Sequence, residues 1–111
     1  MNYETLIVTL KDGIAHVQIN RPEKANAMSL AVWHEIRAAF SWIDATPEAR
    51  VAVISGSGAH FTSGIDLQMM INLGSQIHDD CDGRMREKLR RTILDLQDTL
   101  SSIERCRKPV L

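Results

Sequence analysis

Ser55-Gly56-Ser57-Gly58-Ala59-His60-Phe61-Thr62-Ser63-Gly64-Ile65-Asp66-Leu67 is the stretch on which the reading of this chain turns. It follows Val51-Ala52-Val53-Ile54, a short apolar run of the kind a buried strand has. It precedes Leu67 to Leu73, where apolar residues continue without the strand period. A strand, a loop rich in Gly and Ser, then a helix is the order in which a chain can hold a ligand at a helix start. There the first N–H groups have no intrahelical acceptor and the dipole adds partial positive charge. Nucleotide loops are excluded by spacing. Gly56 and Gly58 open a GxGxxG, but Phe61 stands at its last position, and Ile65 occupies the place of the Walker lysine. What remains is a turn around Ser63-Gly64, with Asp66 placed to cap the helix. On local features alone this is first of all an ordinary Gly-rich turn between strand and helix.

Upstream, Leu6, Val8 and Leu10 alternate with Ile7 and Thr9, and Ala15, Val17 and Ile19 share one face of a second alternating run. Asp12-Gly13 between them tolerates positive φ at both turn positions, so residues 3–20 are expected as a hairpin. Ser29 is the expected N-cap of a helix over residues 30–44, whose face is Leu30, Trp33, Ile36, Phe40 and Ile43, with Met28 packed against Trp33.

Downstream, Phe61-Thr62 is expected as a short strand, 66–73 as a short helix and 74–83 as a mobile loop without apolar period. Met85, Leu89, Ile93, Leu96, Leu100 and Ile103 predict a long helix over about 84–105. Lys108-Pro109-Val110-Leu111 then looks like the opening of another strand, and further chain is expected to follow it.

The 111 residues are 44% hydrophobic and 24% charged, values of an ordinary globular domain. Lys plus Arg number 13 and Asp plus Glu 14, a net charge of -1 that gives no argument for a nucleic-acid partner. No apolar run approaches a membrane span or a signal peptide, and two cysteines, Cys81 and Cys106, form no CxxC pair. A cytoplasmic setting with free thiols is the expectation. His16, His34, His60 and His78 have no metal-ligand spacing, and Ser63 has no local base that would make it a nucleophile. Arg84, Arg86, Lys88, Arg90 and Arg91 crowd one helix start, where a solvated face with pairs such as Glu87–Arg91 and Arg91–Asp95 outweighs a phosphate site.

Three stretches together resemble the crotonase superfamily of enoyl-CoA hydratases and isomerases. Asn20-Arg21-Pro22-Glu23-Lys24-Ala25-Asn26-Ala27-Met28 is similar to the family's NRP-x-K-x-NA-[ML] segment. Val51 to Gly56 followed by Phe61-Thr62-Ser63-Gly64-Ile65-Asp66-Leu67 is similar to its F-x-[AS]-G-x-D-[LI] segment. Ile103-Glu104-Arg105-Cys106-Arg107-Lys108-Pro109-Val110 is similar to the helix end before its next strand. The Gly-Ile-Asp-Leu run and the Ile-Glu-Arg-Cys ending look most like the Δ3,5-Δ2,4-dienoyl-CoA isomerase branch.

The resemblance implies an α/β, crotonase-like ββα spiral core, of which residues 1–111 are the N-terminal part. It implies an acyl-CoA substrate, with coenzyme A entering as part of that substrate and no separate cofactor, no metal, no nucleic acid and no membrane. A homotrimer or hexamer is implied for the full-length protein. It places the backbone N–H of Ser63 in an oxyanion hole and sets Ser63, Gly64, Ile65, Asp66 and Leu67 along the thioester and acyl chain. Backbone around Lys24, Ala25 and Ala27 would follow the CoA moiety. Met69 and Met70 could line an acyl pocket, although core packing is the plainer role. In the family's pattern the second donor and the acidic catalytic residues come after the position of Leu111, and Asp66 does not replace them. A noncatalytic CoA-binding or interaction module is the alternative.

Overall fold

The computed structural model describes residues 2–111. Strands β1 (Leu6–Lys11) and β2 (Ile14–Ile19) form the antiparallel hairpin that the alternation predicts, with Leu6 opposite Ile19 and Lys11 opposite Ile14. Asp12 and Gly13 turn it at φ 55° and 81°, the mirror-image geometry that matches strand twist. Strand β3 (Val51–Gly56) adds to β2 in parallel, giving the order β1-β2-β3. Crossing from β2 to β3 is helix α1 (Leu30–Ala45), capped by the Ser29 hydroxyl at Val32 N–H. It lays Val32, Trp33, Ile36, Ala39, Phe40 and Ile43 on the sheet face formed by Ala15, Val17, Ile19 and Ala52, all of them buried. Burying each of the larger of these side chains is worth about 1.5–3 kcal/mol. Leu30 lies at the edge of that face and stays partly exposed.

Beyond β3 come α2 (Leu67–Ile77) and α3 (Asp82–Arg105). Phe61-Thr62 is not a strand; the only pairing in this region is an isolated parallel bridge between Met28 and Ile65. The loop expected over 74–83 is also corrected, because α2 runs on to Ile77 and α3 starts at Asp82. Asp79 explains the short connection. Its carboxylate accepts from Cys81 N–H at 2.9 Å and pairs with Arg84 and Lys88 at 3.1 Å, so acidic residues that read as solvated loop instead tie it to α3. Val110 bridges Ala52, so residues 109–111 lie along the open edge of β3, as a further strand would. Lys108 fixes this approach by donating to Thr46 O at 2.8 Å and Ala49 O at 2.5 Å.

Only part of the apolar stripe of α3 packs against the core. Leu89, Ile93 and Leu100 are exposed, whereas Thr99 and Ser102 are buried with Leu96 and Ile103 partly so. Small polar residues let the helices approach and then satisfy backbone. Thr99 Oγ1 donates to Trp33 O at 3.1 Å and accepts from Arg37 Nη2 at 3.0 Å. Arg37 also pairs with Asp95 at 3.0 Å, which leaves Arg91 to Glu87 rather than to Asp95. Among the described residues no helix is long and apolar enough to cross a membrane.

Thr99→Val keeps the shape and removes both hydrogen bonds, leaving the Trp33 carbonyl with its helical partner alone and one Arg37 N–H without Thr99. Urea unfolding should show a loss of about 2 kcal/mol; a loss below about 0.3 kcal/mol would mean that packing alone holds α3 on α1.

Candidate functional site

Two loops meet at the C-terminal ends of β2 and β3, and one buried side chain joins them. Asn26 is 0% exposed and sits at φ 55°, a conformation asparagine tolerates better than most residues. Its Oδ1 accepts from Arg21 N–H at 2.8 Å, and its Nδ2 donates to Ser57 O at 2.8 Å and His60 O at 2.7 Å. Arg21 to Met28 is thereby curled into a short 3-10 turn (Pro22–Lys24) and sewn to the loop after β3. Gly56 is the counterpart. A Cβ there would lie 2.3 Å from Phe61 O and 2.8 Å from Asn26 Nδ2, so no other residue fits beneath this junction.

From Asn26 the two loops zip together. Thr62 Oγ1 donates to Asn26 O at 2.6 Å, Ser63 N–H to Ala25 O at 3.0 Å, Met28 N–H to Gly64 O at 2.7 Å and Asp66 N–H to Met28 O at 3.0 Å. Gly64 N–H donates to Thr62 Oγ1 at 3.1 Å, and Gly64 itself takes φ 97°, which glycine alone adopts without strain. The Ser63 amide, the donor that the resemblance implies, is therefore bonded to Ala25 O in this structure. Of the amides of residues 63–66, that of Ile65 has no acceptor among the described residues. Alternation explains the shift. In the Met28–Ile65 bridge the hydrogen bonds run from residues 64 and 66, so the amide between them points away from the partner loop.

Asp66 is the N-cap of α2, accepting from Met69 N–H at 2.9 Å. Arg21 approaches it at 3.5 Å and also donates to Ala27 O, locking the loop pair from the other side. The Met69 N–H foremost, and the Arg21 guanidinium after it, hold the Asp66 carboxyl below the usual carboxylate range, against partial desolvation. This is a structural carboxylate, tied at both ends, and not a poised acid.

An open groove of about 550 Å³ runs past the exposed side of this zipper, lined by Lys24, Ala27, Ser63, Ile65, Asp66, Leu67 and Gln68. Six residues singled out from the sequence thus share one groove, while Ala25 and Gly64 contribute the backbone carbonyls that hold its wall. A second groove of about 420 Å³ lies between the starts of α1 and α2, reaching from Arg21 and Lys24 to Leu73 and Gln76. Met69 belongs to the core and Met70 is exposed. Sequence reasoning missed Asn26 and Arg21 as the residues that build the site. The signal was an Asn between two alanines after a proline turn, a place where a short amide can hold positive φ.

Residues 9–110 match the family model described as enoyl-CoA hydratase/isomerase. The chain is 40% identical over 114 residues to the peroxisomal Delta(3,5)-Delta(2,4)-dienoyl-CoA isomerase of Arabidopsis thaliana, covering 99% of this chain and 41% of that protein. It is 43% identical over 111 residues to the mitochondrial Delta(3,5)-Delta(2,4)-dienoyl-CoA isomerase of Mus musculus, covering 99% of this chain and 34% of that protein. Among solved structures, an enoyl-CoA hydratase/isomerase from Xanthobacter autotrophicus Py2 superposes with a TM-score of 0.81 at 25% identity, over 98% of this chain and 38% of that one. The chain thus spans between a third and about two fifths of the length of these relatives, and its fold is the N-terminal part of theirs.

Because Asp66 is held below its unfolded value, its charge stabilises the fold above the unfolded carboxylate pKa near ~3.9 and ceases to do so as pH falls through the lower folded value. Asp66→Asn keeps a capping oxygen but has no charge. The stability difference between wild type and Asp66→Asn should be largest at neutral pH and should close as pH is lowered below about 4. A difference that is the same at pH 7 and pH 2 would show that the charge of Asp66 contributes nothing to the fold.

Proposed function

The chain belongs to the enoyl-CoA hydratase/isomerase family, and from that premise we propose that it is the N-terminal part of a dienoyl-CoA isomerase acting on acyl-CoA thioesters of the fatty-acid β-oxidation type. The observation that carries the mechanism is the unsatisfied amide of Ile65 at the edge of the Lys24–Leu67 groove. Moving a double bond next to a thioester passes through an enolate, in which negative charge gathers on the carbonyl oxygen. A backbone N–H fixed before the ligand arrives stabilises that charge without reorganising. Here the fixing is done by the bonds of Ser63, Gly64 and Asp66 on either side. Lys24 at the groove rim is available to a CoA phosphate, and the apolar side chains of Ile65 and Leu67 suit the acyl side. The 40–43% identity to dienoyl-CoA isomerases over 99% of the chain favours that branch over hydration.

Of the amides of residues 63–66 one is a donor of this kind, and Asp66 beside it is engaged as a cap. A full active site therefore draws its second donor and its proton-transfer groups from other segments, in a full-length trimer or hexamer. Binding alone does not substitute for proton transfer at carbon.

Replacing the Ile65 peptide N–H by an ester oxygen, in the full-length enzyme, removes the donor and weakens only the Met28 N–H to Gly64 O bond, whose acceptor becomes an ester carbonyl. Turnover of a 3,5-dienoyl-CoA should fall about 10²-fold or more, while Ser63→Ala retains most of it. Full activity of the ester variant would remove Ile65 from the mechanism. Residues 1–111 alone should turn over neither crotonyl-CoA nor a 3,5-dienoyl-CoA and, with Leu67 76% exposed and Ile71 65% exposed, should self-associate in light scattering. Turnover by a monodisperse monomer would contradict this placement of the missing groups.

A further inference from the structure

Helix α3 carries more apolar surface than its own fold covers. Leu96 and Ile103 pack on the core, while Leu89, Ile93 and Leu100 on the adjoining side stay 43%, 44% and 49% exposed. That side ends in two opposite charges, Arg86 and Glu104, both exposed. They are 18 residues apart (104 minus 86), about five turns at ~3.6 residues per turn, so they stand on the same side of the helix. Asp82 aside, every other charged residue of α3 has an ionic partner. Arg84 and Lys88 pair with Asp79, Arg90 and Arg91 with Glu87, Asp95 and Asp98 with Arg37, and Arg105 with Asp98. Among the described residues Arg86 and Glu104 have no ionic or side-chain partner. Glu104 also stands in the last turn of α3, where the helix dipole disfavours an anion.

We propose that this side of α3 is a two-fold contact with the α3 of a second copy of the chain, running antiparallel, with Arg86 of each copy paired to the partner's Glu104. An antiparallel neighbour brings cations to the acidic helix end and an acid to the basic one. A two-fold axis makes the contact self-complementary, so one pairing implies its mirror. The register follows from that pairing. Four residues inward along each helix, Arg90 comes opposite the partner's Leu100. There Arg86, Leu89, Arg90, Ile93 and Leu94 line a shallow hollow of about 310 Å³. The first four have the i, i+3, i+4, i+7 spacing of a hole that takes one knob from a facing helix. The partner's Leu100 is that knob, and Ile93 then lies over the partner's Gln97. Apolar exposure, the hollow and the two unpaired charges are separate features, and one rotation satisfies all three. The contact involves neither the Ile65 amide nor the groove, so it does not depend on the reaction proposed above.

The test measures the mass of the full-length protein by light scattering over a dilution series, for wild type, Arg86→Glu, Glu104→Arg and the double variant. Both positions are exposed and neither change works against the helix dipole; circular dichroism checks that each variant folds. Each single variant sets two like-charged pairs across the axis. The dissociation constant of the two-fold contact should rise about tenfold or more, and the mass should fall toward half where the wild type is still assembled. The double variant restores opposite charges and should restore the wild-type mass. Unchanged mass in both single variants overturns the inference. A double variant that stays dissociated overturns it as well, since another segment or a different partner then covers this side of α3.

Discussion

The carboxamide of Asn26 is the interaction on which the rest of the site depends. Three hydrogen bonds from one fully buried side chain reach Arg21 N–H, Ser57 O and His60 O. Each of these part-buried bonds is worth about 0.5–1.5 kcal/mol. The side chain therefore does more than fill space: it fixes the distance between the loop after β2 and the loop after β3. With that distance set, Ser63, Gly64 and Asp66 find their partners, and the Ile65 amide is left over in a fixed direction. Gly56 is the same constraint seen from below, since only a residue without a side chain lets the two loops close.

The arrangement separates stability from chemistry in an instructive way. Three polar side chains around the Ile65 amide hold the loops still: Asp66 caps α2, Arg21 clamps Asp66 and Ala27, and Thr62 ties Asn26 to Gly64. None of these groups is poised to move a proton. A backbone donor costs no side-chain entropy and cannot change rotamer, so rigidity of the two loops translates directly into preorganisation.

The hairpin, α1 and β3 were legible in the sequence because each is a local pattern. Alternation around Asp12-Gly13 and the 3–4 spacing from Leu30 to Ile43 do not depend on distant residues. The helix after Leu67 was read too short because its second half, Asn72 to Gln76, is mostly polar and carries Gly74, which lowers propensity but does not stop a helix. The helix α3 was legible, but its buried face only in part: Leu96 and Ile103 pack on the core, Leu89, Ile93 and Leu100 stay exposed, and Thr99 and Ser102 are buried for what they bond. The groove residues were legible from the motif, but which amide is left without an acceptor was not. That depends on the parity of the Met28–Ile65 bridge, a pairing between segments 37 positions apart (65 minus 28) that no local pattern encodes.

The central claim is that Asn26 leaves the Ile65 amide as the donor to a thioester carbonyl. A crystal structure of the full-length enzyme with a bound acyl-CoA tests this most directly. The account predicts the thioester oxygen about 3 Å from Ile65 N, with Ser63 N still on Ala25 O. An oxygen bound to Ser63 N, or one out of reach of both amides, would contradict it.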